Sequence, residues 1–173
     1  MSKLHQVQLK YEPVEDRGLL RIKTQDNQEL RLWLTRRLTR GLWALLMRLL
    51  EADKEVVSQV DERARSAVLS FKHEEAIARS DFKTRYQEDG TQSTTGEAPL
   101  LVVKAEGRML KDGRRVLRLH PRGGHVVQLV LDDPLLHSLC KIISDMVRMT
   151  DWDMQLEIGS AAAADDGEPR VLN

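Results

Sequence analysis

Twice in this chain, two short stretches of alternating apolar residues run directly into an apolar helical pattern. The second occurrence lies on the first without a gap, residues 115–147 on residues 18–50. Leu20, Arg21, Leu32, Leu34, Leu38 and Leu42 recur as Leu117, Arg118, Leu129, Leu131, Leu135 and Leu139. Inward and outward positions keep the same phase in both copies. One supersecondary unit used twice has this signature, and two copies suggest a pseudo-dimer within one chain. The constraint on the fold is strong: each unit must lay one face of a small antiparallel sheet against an apolar helix.

A period of two over His5–Tyr11, Leu19–Lys23 and Glu29–Leu34 predicts three strands. The turn-forming run at residues 24–28 closes the second and third into a hairpin. In the second unit, strands are predicted at 100–106 and 108–110 with a bend at Gly107, and a hairpin follows around Gly123 and Gly124. Thr35 reads as the N-cap of the first helix. Asp132 or Asp133, with Pro134 behind it, reads as the start of the second. The core stripes are Leu38, Leu42, Leu45, Leu46 and Leu49 in one helix and Leu135, Leu139, Ile142, Ile143 and Met146 in the other.

The fold class expected is α+β: two β-β-β-α repeats of one domain over residues 1–158. Repeat one covers 4–50, a helical connector 52–87, a flexible loop 88–99, and repeat two 100–149. Alternation of Met154, Leu156 and Ile158 suggests a short terminal strand, and 159–173 reads as a disordered acidic tail. Two strand-rich units each closed by a helix resemble, in topology, the Whirly-type fold of single-stranded-DNA-binding transcriptional regulators, whose unit has four strands to the three counted here. That resemblance implies nucleic acid bound on the sheet.

The formal charge is +0, but it is unevenly placed. Residues 1–50 carry 10 basic and 5 acidic groups and residues 101–150 carry 9 and 5, whereas 51–100 carry 7 and 11 and 151–173 carry 1 and 6. The two units are basic, and the connector and tail are acidic. A basic sheet face attracts phosphates within a Debye length of about 8 to 10 Å, whatever the distant net charge. Lys10, Arg21, Lys23, Arg31, Trp33, Arg118 and His120 fall on the outward strand positions, together with Glu29. A tryptophan among cations can stack a base. These seven residues form the candidate site for single-stranded DNA or RNA.

The first helix has a further apolar side in Trp43, Met47 and Leu50, which one sheet cannot cover. The following helix, a second subunit or a protein partner could cover it, so the three are the candidate partner-binding residues and a homodimer is expected. No motif points to catalysis. His120 and His125 lack a third metal ligand, and His73-Glu74-Glu75 lacks the second histidine of a zinc protease helix and reads as a solvated face. Asp132-Asp133 fits capping better than acid–base work. Cys140, the single cysteine, excludes an intrachain disulfide and reads as a buried thiol. No stretch reaches the ~18 apolar residues of a membrane span, and the N-terminus lacks a signal-peptide pattern. The expectation is a cytoplasmic, non-enzymatic binding protein without metal or cofactor.

Overall fold

Strand-forming alternation places Val7, Leu9, Leu20, Ile22, Leu30 and Leu32 on one side of a sheet, and burying that side organises the molecule. A computed structural model describes residues 4–87, 92–94, 96 and 98–159. The strands are β1 (Leu4–Glu12), β2 (Arg17–Thr24), β3 (Gln28–Leu34), the two-residue β4 (Gln92–Ser93), β5 (Leu100–Met109), β6 (Arg115–Pro121) and β7 (Val127–Leu131). Four helices accompany them: α1 (Arg36–Glu51), α2 (Lys54–Val57), α3 (Glu62–Arg79) and α4 (Asp133–Val147). The result is a mixed α+β fold with one seven-stranded sheet, as the expected class required.

The sheet runs β1-β2-β3-β5-β6-β7, with β4 set beside β3. Neighbours are antiparallel except where the halves meet. There β3 and β5 run parallel and share only the pairs Leu32–Leu100 and Trp33–Leu101. A twofold pseudo-dimer would bring like strands together antiparallel. Here unlike strands meet in parallel, which is not the pairing of a twofold pseudo-dimer. Each half has three long strands.

Above the sheet the helices are exchanged between halves. α1, from the first half, packs against β5 of the second, and α4, from the second, packs against β1 of the first. Two glycines mark these crossings. A Cβ on Gly107 would lie 3.0 Å from the Cδ1 atoms of Leu45 and Leu49, and one on Gly18 would lie 3.1 Å from Cε of Met146. Gly107 therefore does not bend the chain into two strands; β5 continues through it, and the missing side chain admits α1. α3 packs on α4 as an outer layer.

The caps follow the sequence. Thr35 accepts from the Leu38 amide at 3.2 Å, and Asp132 accepts from Leu135 at 2.9 Å. Asp133 caps nothing, and its carboxylate instead meets the buried Arg115 of β6. The other side of that guanidinium reaches Asp53 at 3.2 Å, and Asp53 also holds Lys72 of α3 at 2.8 Å. Burial raises the Asp53 pKa, but Lys72, the Glu55 amide and Arg115 outweigh it and hold the carboxyl below its ordinary range. One ionic cluster thus ties the connector to β6 and α4.

The connector forms α2 and α3 and then leaves helical structure after Arg79, short of residue 87. Residues 154–158 pack against the core through Met154, Leu156 and Ile158 without forming a strand. The loop expected over 88–99 lies partly, and the tail beyond 159 wholly, outside the described residues. Trp152, which no periodicity singled out, is 2% exposed. Its Nε1 donates to Asp16 at 2.7 Å, and the Tyr11 hydroxyl donates to the same oxygen at 2.8 Å. Truncating Trp152→Ala should cost about 3 to 5 kcal/mol in urea denaturation, and Trp152→Phe, which removes chiefly the hydrogen bond, about 1 kcal/mol.

Candidate functional site

The outward face of the first half carries the charged residues that alternation placed there, but the chain itself occupies it. Arg21 Nε and Nη2 each lie 2.8 Å from Oε1 of Glu29, and Nη1 lies 3.3 Å from the side-chain Oε1 of Gln8. The Tyr86 hydroxyl donates to that same Glu29 oxygen at 2.7 Å, and the Arg21 guanidinium sits 4.3 Å from the centroid of the Tyr86 ring. Lys23, 3% exposed, donates to the Gln87 carbonyl at 3.1 Å, and Arg31 donates to the Gly96 carbonyl at 2.7 Å. Residues 85–87 and 92–94, with Gly96, therefore act as a strap across the sheet.

The rest of the expected nucleic-acid face is similarly engaged. Arg118 donates to Gln128 at 3.1 Å and stands opposite Glu106 in the ladder. His120 Nε2 lies 3.1 Å from Glu106, whose carboxyl is held low by Lys104 and then by His120. Trp33 is half-buried in a row with Leu19 and Leu101. Lys10 alone of the seven is exposed without a side-chain partner among the described residues. Glu29 was visible on this face in the sequence; what sequence could not supply was Tyr86 arriving from 57 residues away.

The expected partner-binding residues are internal. Trp43 is 9% and Leu50 1% exposed, and Met47 packs partly buried against the core. Trp43 borders a cavity with Ser70 and His73 of α3 and with Leu156 and Ile158 of the terminal segment. The following helix and the chain's own end supply the cover. Trp43 and Leu50 are thus buried in the core and not available as docking residues, while Met47 stays partly exposed at its edge.

A different surface stays open. Helix α1 buries Leu42, Leu45, Leu46 and Leu49 and turns Arg37, Arg40, Gly41, Ala44 and Arg48 to solvent. That stripe was legible at helical spacing opposite the leucines. Between α1 and the first half of β5 lies a groove of about 360 Å³, within the size range of ligand sites. Its floor is Leu38, Leu42, Leu45 and Ala105, and its rim carries Arg37, Arg48, Lys104 and Arg122. Lys104 is paired with Glu106. Among the described residues, Arg37, Arg40, Arg48 and Arg122 have no carboxylate partner. No acidic residue occupies the first turn of α1, so Arg36 and Arg37 add to the positive end of the helix dipole.

Two histidines that sequence treated as unremarkable meet between α3 and α4. Nδ1 of His73 and Nδ1 of His137 are 3.1 Å apart, one ring donating and the other accepting. His73 is thus part of a helix contact and not of a solvated face. Burial, then the neighbouring His73, lower the His137 pKa to about 4, with Asp133 opposing; burial also lowers His73. Among the described residues no group of three metal-ligating side chains is assembled. Burial pushes the Cys140 thiol up to about 12, which leaves it un-ionised and a poor nucleophile. No described helix is long and apolar enough to cross a membrane.

No protein-family model, curated protein or solved structure matches the chain.

Two outcomes follow from these placements. Removing Glu29 leaves Arg21 and Arg31 without their shared carboxylate, so Glu29→Ala should lower stability by about 3 kcal/mol in urea denaturation while Lys10→Ala changes it by less than about 0.5. His137 titrates near 6.5 when unfolded and near 4 when folded. The unfolded chain therefore binds the extra proton between those values, and the histidine's contribution, fully present above 6.5, is lost as pH falls toward 4. His137→Phe should flatten that part of a stability–pH profile measured by thermal unfolding.

Proposed function

We propose that this protein is a non-enzymatic interaction module that binds an anionic partner in the groove between α1 and β5. The observation that supports the reading most is the apolar-floored groove lined by Arg37, Arg48 and Arg122, with Arg40 exposed on the same helix, none of them with a carboxylate partner among the described residues. Arg21, Lys72 and Arg115, by contrast, each meet a carboxylate of the chain. Like charges held together without counter-charge raise the free energy of the unbound protein, and an anionic partner relieves it. The aliphatic floor adds hydrophobic contact for a partner that is charged on one side and apolar on the other.

Protein recognition fits this surface better than nucleic acid. Binding of single strands without sequence preference relies on aromatic platforms, and the groove contains none. The nucleic-acid reading retains one specific support, the half-buried Trp33 beside exposed Lys10 on the outward sheet face. On that reading a single strand lies over Trp33, and Trp33→Ala abolishes its binding. The homodimer becomes a second copy as the anionic partner, and the duplicated unit a scaffold that presents one groove.

Charge reversal separates these outcomes. Arg37→Glu combined with Arg48→Glu should weaken capture of an acidic partner, read with polyglutamate by fluorescence anisotropy at low salt, by roughly tenfold or more, with unchanged circular dichroism. Binding should also weaken as salt rises from about 50 to 200 mM. Equal affinity for the charge-reversed and original proteins would remove the groove from the function.

A further inference from the structure

The same groove carries a second feature, an unoccupied strand edge. β3 leaves the sheet at Leu34 to enter α1, whereas β5 continues to Met109. Beyond Leu101, β5 has β6 on one side, and among the described residues no strand pairs with its other edge. That edge borders the groove through Leu101–Ala105, and Val103 beside it is 49% exposed. Exposed edges present unpaired backbone donors and acceptors, and native proteins usually shorten, cover or twist them. Here the ladder to β6 shifts register between Val102 and Lys104, and among the described residues no strand covers the outer edge beside the arginine-lined wall.

Gly41 is the second observation. It stands inside α1, where glycine costs about 1 kcal/mol relative to alanine, and its backbone needs no glycine: a Cβ there would meet nothing within 4 Å. Packing within the chain does not explain it. A bare backbone on the groove wall instead leaves room for another backbone to pass close by. Length agrees as well. The wall from Thr35 to Arg48 is about 20 Å at 1.5 Å per residue, the span of an extended segment of about six residues.

Resting on the interaction reading above, we infer that the groove binds an extended segment of a partner protein by strand addition to β5, and that the segment alternates apolar and acidic residues. Its backbone pairs with the open edge beyond Leu101. Its apolar side chains point to Leu38, Leu42 and Leu45, its backbone passes over Gly41, and its carboxylates meet Arg37, Arg48 and Arg122. Main-chain pairing supplies affinity, and alternate side chains supply specificity. The contact is small, so the affinity is on the order of micromolar and the complex is transient.

The test uses the full chain and a labelled peptide of about ten residues alternating valine and glutamate. Its controls are the same peptide N-methylated at alternate positions, polyglutamate, and an oligodeoxythymidine of about twenty nucleotides. The valine–glutamate peptide is expected to bind, to slow amide exchange in residues 102–109, and to lose roughly tenfold or more in affinity on N-methylation and on Gly41→Leu. Gly41→Leu fills the groove while favouring the helix, so its melting temperature should not fall. Equal binding of the N-methylated peptide or polyglutamate would overturn strand addition and leave the anionic-partner reading standing. Preferential binding of the oligonucleotide, unaffected by Gly41→Leu, would overturn it in favour of nucleic acid. Absence of binding by all four at low salt would remove both readings together.

Discussion

The structure depends on a joint only two residue pairs long. Among the described residues, β3 and β5 join the two halves of the sheet through Leu32 with Leu100 and Trp33 with Leu101 alone. Two pairs of a parallel ladder contribute little against the entropy of aligning two three-stranded sheets. The halves are held chiefly by what lies above: α1 on β5 and α4 on β1, so that each helix grips the half it does not come from. The short joint and the exchanged helices are therefore one arrangement. Because β3 departs early to become α1, it leaves β5 an edge that no described strand covers, and because α1 crosses to reach β5, it forms the wall beside that edge.

Charge follows the same division between closed and open. Where cations lie at element boundaries they are neutralised within the chain: Arg115 between Asp53 and Asp133, Arg21 against Glu29 beneath Tyr86. Pairing of this kind fixes which surfaces meet more than it adds net stability, since desolvation offsets much of the Coulombic attraction. Arg37, Arg40 and Arg48 of α1 escape it: they stand opposite the leucine stripe and meet no carboxylate among the described residues. A neutral chain thereby presents a locally positive groove.

Much of the fold could be read from local pattern. Alternation located β1, β2, β3 and β7, and side-chain chemistry located the caps at Thr35 and Asp132, because these signals are contained within a few residues. The site was less legible. Outward strand positions correctly named Arg21, Lys23 and Arg31, but whether an outward cation is available depends on what crosses over it, and Tyr86, Gln87 and Gly96 arrive from distant sequence. Trp43 and Leu50 were rightly seen as too apolar for one sheet to cover. Their cover is α3 and the segment around Leu156, which is a matter of tertiary path and not of periodicity. Gly107 misled in the same way, since a glycine that breaks a strand and one that admits a helix look alike in sequence.

The exchange of helices also has a meaning for synthesis. A chain emerging from its N-terminus completes α1 at Glu51, but the strand that α1 must cover begins only at Leu100. During that interval the leucine stripe has three strands of its own half nearby and the wrong partner beneath it. Neither α1 nor β1 therefore meets its packing partner until the second half has been made, since α4 follows β5 in the chain and packs on β1.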